Sequence, residues 1–328
     1  MATELRIINA AQVRQLLPMN ECVEVMHAAM LATSNGDVAL PPRLIAPLID
    51  RAGALALMPG STTELETYGA KVLSIHPSNP GKGYPAIQGF VVLFDRDNGA
   101  PVALLDGAAV TEIRTAAASG LATRLLGRAD ARTCGIFGTG VQAVSHIDAM
   151  LAVRPVEEFR VWGRDPGKTS AFAGAQARRT GVPVSAANDP ADAAACDLVC
   201  TVTGSPEPIL KGDWVKPGAH VNLVGAHSLD TREADAELIV KSRLYVDLME
   251  SCHNEGGDFM IPLKEGLIDE AAILGEIGQV AAGSVPGRLD NQQITLYNSL
   301  GITAQDLFSA QYVLEKAIAA DAGSMVAL

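Results

Sequence analysis

Aromatic residues make up only 4% of the 328 residues, so a large aromatic-lined pocket is not expected. Positive charge is scarce as well: 25 Lys and Arg stand against 37 Asp and Glu, a formal −12, and no basic run occurs. That balance excludes nucleic acid or an anionic membrane surface as the main partner. An anionic ligand would need a local cluster of cations working against the overall field. No uninterrupted apolar run of about 18 residues is present, so no membrane-spanning helix is expected. The opening MATELRIINAAQV lacks a basic segment followed by an apolar one, so no secretory leader is expected either. The five cysteines (Cys22, Cys134, Cys196, Cys200, Cys252) are scattered, odd in number and without a CxxC pair. They read as reduced thiols of a cytoplasmic protein. Cys196 and Cys200 are spaced to share a helix face, but no suitable His or Cys pair lies near them. The six histidines form neither HxxxH nor HExxH, so no metal is expected. The absence of G-x-S-x-G and of a Cys–His arrangement leaves covalent hydrolase chemistry unsupported.

What is present is a globular balance of 48% hydrophobic and 19% charged residues, in a length that suits about two domains. The stretch VRQLLPMNECVEVMHAAMLATSNG has helical spacing up to Gly36. Between residues 38 and 110, short apolar runs separated by turns, with Asp97-Asn98-Gly99 as a hairpin signal, predict antiparallel sheet. The Ala-rich 109–126 reads as a helix. From residue 133 strands alternate with helical segments, which predicts βαβ units and a parallel sheet. TAQDLFSAQYVLEKAIAA, near the end, reads as an amphipathic helix.

TCGIFGTGVQA places Gly138-Thr139-Gly140-Val141-Gln142-Ala143 between a predicted strand and a helix start. This G-x-G-x-x-A has the context that a dinucleotide site needs. Gly138 allows the tight turn, Gly140 lets backbone approach a pyrophosphate, and the helix N-terminus offers free N–H groups. The second strand, FRVWGRDP, ends at Gly163, 25 positions after Gly138. An acidic residue normally stands there to bond the ribose 2′-hydroxyl. Gly163 leaves that space open, and Arg164 with Lys168 a turn later suits a 2′-phosphate. The pattern favours NADP(H). NAD(H) is the alternative if Asp165 turns back onto the ribose.

Three basic residues stand where surface charges fit poorly. Arg43 follows Pro41-Pro42, Lys71 lies inside the predicted strand AKVLSIH, and Arg114 sits in the Ala-rich helix beside Thr111, Thr115 and Ala116. Cations in apolar sequence need partners, and convergence on a substrate carboxylate would supply one. Spacing alone fits equally well a snorkelling edge-strand lysine and ordinary surface arginines. His227 stands just after the strand VNLVGA, where ligands gather in a parallel sheet. Asp230, Arg232 and Glu233 after it read as a polar loop and helix cap.

PPR (41–43), MPG (58–60), the Lys71 strand, IRTAAASGLAT (113–123), GTGVQA (138–143), EPIL with WVKPGAHVNLVGA (207–226), the Arg232-Glu233 and Asp235 pattern (232–235) and SLGITAQDL (299–307) together make the chain resemble the ornithine cyclodeaminase/mu-crystallin family over essentially its full length. The resemblance implies a Rossmann-type doubly wound parallel sheet plus an α+β substrate and dimerisation domain. Residues 1–118, joined by the C-terminal helix 304–328, would form the substrate and dimerisation domain. Residues 119–303 would form the dinucleotide-binding domain. It implies a homodimer, with the active site in a cleft between the domains. It further implies that Arg43, Lys71 and Arg114 hold a substrate carboxylate. The cofactor would be lined by Arg114, Thr115, Gly138, Thr139, Gly140, Val141, Gln142, Gly163, Arg164, Asp165, Thr203, Gly204, Val224, Gly225, Ser299 and Leu300.

Ornithine cyclodeaminases resemble one another in an aspartate just after the VGG or VGA strand, and this chain has His227 there. A histidine can move protons near neutral pH, but it offers no permanent negative charge to an ammonium. The expected activity is therefore an NAD(P)H-dependent ketimine reductase of the Δ1-pyrroline-2-carboxylate/Δ1-piperideine-2-carboxylate type, giving proline or pipecolate. Lys71, His227 or water would be the proton source. An ornithine cyclodeaminase or alanine-dehydrogenase-like amino acid enzyme is the first alternative, and a non-catalytic NADP(H)-binding protein of mu-crystallin type the second.

Overall fold

The computed structural model describes residues 4–328, the side chain of Pro80 aside; Met1–Thr3, where the stretch read for a leader begins, lie outside the described residues. In chain order the strands are β1 (Glu4–Ile8), β2 (Val38–Ala39), β3 (Leu44–Pro47), β4 (Ala54–Thr62), β5 (Thr67–Ile75), β6 (Ile87–Asp95), β7 (Pro101–Asp106), β8 (Thr133–Phe137), β9 (Glu158–Trp162), β10 (Val184–Ala186), β11 (Leu198–Thr201), β12 (His220–Leu223), β13 (Ser242–Val246), β14 (Ile273–Glu276), β15 (Ile294–Asn298) and β16 (Ser324–Ala327). The α-helices are α1 (Ala10–Leu16), α2 (Met19–Asn35), α3 (Gly107–Leu126), α4 (Val141–Val153), α5 (Pro166–Thr180), α6 (Pro190–Ala194), α7 (Ala236–Val240), α8 (Met249–Glu255), α9 (Gly257–Lys264), α10 (Ile277–Ala281) and α11 (Thr303–Ala319). The chain divides into two compact units, one of residues up to Arg114 with Ile302–Leu328, the other Thr115–Gly301.

In the first unit the antiparallel sheet forms as expected, β4 to β7 pairing in sequence order. The Asp-Asn-Gly turn closes β6 on β7. Gly99 takes φ +74°, and Asn98 Oδ1 accepts the Ala100 N–H at 2.8 Å. Two strands escape a local reading: β1 adds to β7 in parallel, and β16 returns antiparallel onto β1. The helical spacing before Gly36 is broken by Pro18, which lacks an N–H and caps α2 at its start. Gly36 ends α2 in the left-handed conformation, φ +81°.

Alternation along β4, β5 and β6 decides which side chains turn inward. Met58, Lys71, Val91 and Leu105 stand opposite one another across four strands, and all four are buried. Helix α11 packs on this face of β4–β6 and against α2. The opposite face carries its own apolar row, Leu44, Leu57, Val72 and Phe90, also in register across β3 to β6. Leu44 is 56% and Phe90 39% exposed.

The second unit is an all-parallel sheet in the order β10-β9-β8-β11-β12-β15-β13-β14. Strand order reverses beside β8, the switch point where doubly wound sheets bind ligands. Strands β11, β12 and β15 are buried along their whole length, as a sheet covered on both faces requires. Phe137, Val199, Leu223, Leu244, Phe259 and Leu296 belong to one of its cores. All five cysteines are buried free thiols. Cys200 lies on β11 with Cys196 just ahead of it, so the pair does not share a helix face. Among the described residues, no helix is long and apolar enough to cross a membrane.

Candidate active site

The inward alternation of β5 carries the Lys71 side chain under α11, where Asp306 receives it. Lys71 Nζ lies 2.7 Å from Asp306 Oδ2, with the two side chains 2% and 0% exposed. Arg114, about two turns into α3, donates from Nε to Asp306 Oδ1 at 2.9 Å and from its terminal nitrogen to Gln305 Oε1 at 2.6 Å. Two buried cations therefore share one buried carboxylate, leaving a net positive charge. Lys71 is on an interior strand and ion-paired, not a snorkelling edge residue.

Burial pushes the Lys71 ammonium down; Asp306 opposes the shift and the charges of Arg114 and Arg43 add to it, leaving a pKa of about 8. Arg43, half-buried ahead of β3, thus acts on the same group. Burial alone would raise Asp306, but Arg114 and Lys71 hold its carboxyl below the usual range. The result is a cation cluster in an acidic chain, containing one ammonium that titrates near neutral pH. It can bind a small carboxylate and deliver a proton.

In the second unit, every residue expected to line a cofactor from 138 to 300 falls at the carboxyl edge of the parallel sheet, or on the helix that starts there. The loops continue the strand ladder. Gly138 N–H donates to the Trp162 carbonyl at 2.9 Å, Val224 N–H to Thr201 at 3.0 Å and Ser299 N–H to Leu223 at 2.8 Å. Gly138 adopts φ +123°, and a Cβ there would stand 2.9 Å from the Val202 carbonyl, so only glycine makes this turn. At Gly140 and Gly204 a Cβ would meet nothing within 4 Å. These are the bare backbone positions that a pyrophosphate can approach. Gly140 caps the thirteen-residue α4 without a side-chain bond, so Val141 and Gln142 open a helix whose first N–H groups point outward. The site fits a dinucleotide. Thr115 begins this unit on α3, buried. Asp247, buried at the end of β13, accepts Leu300 N–H at 2.7 Å and Gly301 N–H at 2.6 Å, fixing the loop that carries Ser299 and Leu300.

Two sequence expectations change here. Gly163 does not leave open space: a Cβ there would stand 2.7 Å from Thr169 Oγ1 and 3.3 Å from Thr139 Cγ2, so packing favours the glycine. Asp165 caps α5, its Oδ1 accepting the Lys168 N–H at 3.0 Å. Arg164 is exposed beside it. Glu233 is not part of a polar cap; it is fully buried, and the residue that caps α7 is Asp235. His227 stands exposed on the loop after β12, its Nδ1 3.1 Å from the Gly225 carbonyl, an arrangement in which Nδ1–H donates. Asp306 is the member of this cluster that sequence reasoning did not single out. It stands among the wholly buried positions 303–311 of α11.

The model of the ornithine cyclodeaminase/mu-crystallin family matches residues 4–321. The Δ1-pyrroline-2-carboxylate reductase of Bacillus cereus is 34% identical over 322 residues, covering 98% of this chain and 99% of that protein. Mouse ketimine reductase mu-crystallin is 35% identical over 281 residues, 86% of each chain. Among solved structures, the Thermococcus litoralis Δ1-pyrroline-2-carboxylate reductase in complex with NADH and L-proline superposes with a TM-score of 0.93 at 35% identity, covering 97% of this chain and 99% of that one. On the strength of the family match and of these full-length likenesses, the chain belongs to the ornithine cyclodeaminase/mu-crystallin family.

Proposed function

We propose that this protein is an NAD(P)H-dependent reductase of small cyclic imino acids, converting Δ1-pyrroline-2-carboxylate to proline and Δ1-piperideine-2-carboxylate to pipecolate. The observation that carries the reading is the buried Lys71–Asp306–Arg114 cluster within the field of Arg43, in a chain whose full-length relatives include Δ1-pyrroline-2-carboxylate reductases. The residues up to Arg114 with 302–328 bind the substrate, and Thr115–Gly301 binds the dinucleotide. Arg43, Lys71 and Arg114 hold the substrate carboxylate, and Lys71 also donates a proton to the imine nitrogen. A bound reduced nicotinamide supplies the hydride that the imine carbon takes up. Protonating the nitrogen makes that carbon electrophilic, and Asp306 keeps the ammonium in place while it does so. His227 supports reductase over cyclodeaminase chemistry, because an imidazole gives ornithine's ammonium no fixed carboxylate. The test is oxidation of NADPH or NADH on addition of each cyclic imine. Silence with both, together with ammonia release from ornithine, would overturn the reading.

NADPH is the preferred reductant in this reading. With the Asp165 carboxylate engaged in capping α5, the exposed Arg164 beside it is the group to grip a 2′-phosphate. Arg164→Ala should raise KM for NADPH by about tenfold or more and change KM for NADH by less than about threefold, the size of one charge-assisted contact. Equal effects on both would favour NADH.

The protein is a homodimer, formed through the outer face of the β3–β6 sheet. An in-register apolar row there is left uncovered by α2 and α11, and exposed apolar faces of this kind are interaction sites. Light scattering should give twice the 34.2 kDa subunit mass, and Phe90→Glu should yield a monomer. Five buried thiols support a reducing compartment, the cytoplasm.

A further inference from the structure

We propose that Glu233 is a positioning residue for cofactor binding, fastening the loops after β11 and β12 so that the dinucleotide meets a preformed edge. The inference rests on the reductase reading. Glu233 Oε1 accepts the Thr203 N–H at 2.9 Å and the Thr203 hydroxyl at 2.6 Å. Its Oε2 accepts the Gly225 N–H at 2.7 Å and the Thr201 hydroxyl at 2.7 Å. The four donors come from the ends of two neighbouring strands, so one side chain ties both loops. They fill the acceptor capacity of a carboxylate. The closeness is built in: a Cβ at Gly225 would stand 2.0 Å from the Thr203 carbonyl and 2.6 Å from Glu233 Oε1.

Glu233 is itself held at both backbone ends. Its N–H donates to Asp258 Oδ1 at 2.9 Å, and its carbonyl accepts from Ile209 and Leu210 at 2.8 and 3.0 Å. Among the described residues it makes no salt bridge, and the four donors to its carboxyl are neutral dipoles. Burial pushes its carboxyl up, while the Thr203, Thr201 and Gly225 donors draw it back. A well-packed apolar residue would stabilise such a position at least as well. What an apolar residue cannot do is hold Thr203 and Gly225 in register, with the bare backbone of Gly204 presented beside them.

The test is Glu233→Gln in the full-length enzyme. The amide keeps the size but turns one acceptor into a donor facing N–H groups. The dissociation constant for NADPH, read from nicotinamide fluorescence, should rise about tenfold or more. KM for NADPH should rise with it, while kcat and KM for the imine at saturating NADPH stay within about threefold. Glu233→Asp, which keeps the charge but draws it back, should bind with intermediate affinity, and it also covers failure of the Gln variant to fold. A merely structural role would lower the melting temperature and leave the affinity for NADPH in place. Unchanged NADPH binding by a folded Gln variant, or a loss of imine binding as large as that of NADPH, overturns the inference alone. A wild-type protein that binds no reduced nicotinamide dinucleotide overturns the reductase reading with it.

Discussion

Lys71→Met is expected to lower kcat/KM for cyclic imines by about 10³-fold or more while leaving the protein at least as stable as the wild type. The activity loss combines the missing proton donor, worth about 10² to 10⁴ on its own, with a weaker hold on the carboxylate. Stability is spared because Arg114 still neutralises Asp306 at 2.9 Å, and methionine fills the same buried slot between Met58 and Val91. The sign follows from the lowered pKa. Below about pH 8, Lys71 is protonated in folded and unfolded chains alike, and its burial penalty is present in full. Between about 8 and the ordinary 10.5 the folded chain has released a proton that the unfolded chain keeps, so stability rises with pH. Denaturation midpoints measured across this window should climb in the wild type and lose that increment in Lys71→Met. The same group should set the alkaline limb of kcat/KM in the wild type. A Met variant retaining a tenth of the activity would remove Lys71 from the reaction.

Asp306→Asn is expected to cost about 3–5 kcal/mol of stability, because it leaves two buried cations without their counter-charge. Asparagine preserves the shape and can still accept from Arg114, so the loss reports charge rather than packing. The gap between wild type and variant should be full above the ordinary carboxyl value of 3.8 and close as pH falls below it, since the folded-state pKa of Asp306 lies lower. Without Asp306, burial and the Arg114 and Arg43 charges act on Lys71 unopposed, so the alkaline limb of the reaction should move to lower pH. Saturating proline should restore part of the lost stability, because its carboxylate brings back the missing negative charge and ligand binding adds to folding free energy. Chemical denaturation with and without proline measures both effects. Equal stability of Asp306→Asn and wild type would mean that the ion cluster holds nothing together.

Much of this was legible from the chain because the signals are contiguous. The glycine turn at 138–140 sits between a buried strand and a helix, all within Thr133–Val153. The Asp-Asn-Gly turn specifies its hairpin from three. The long run of helical spacing before Gly36 needed only its proline to be read correctly. The reading of Gly163 went astray for a physical reason. An absent side chain looks like open space in a sequence, whereas in the fold the position is filled by the hydroxyl of Thr169. Cys196 and Cys200 misled similarly, since a spacing of four has meaning only inside a helix.

The sequence by itself determined the parallel sheet and its dinucleotide turn, because periodicity and turn chemistry are local properties, and it singled out three cations whose place, buried or exposed, spacing alone left open. Only the tertiary structure decided that Lys71 and Arg114 meet at Asp306, which lies 192 positions beyond Arg114, and that Glu233 ties two strand ends together. Such partners are chosen by the return path of a helix or loop across a sheet, and no pattern of neighbouring residues encodes where that path ends.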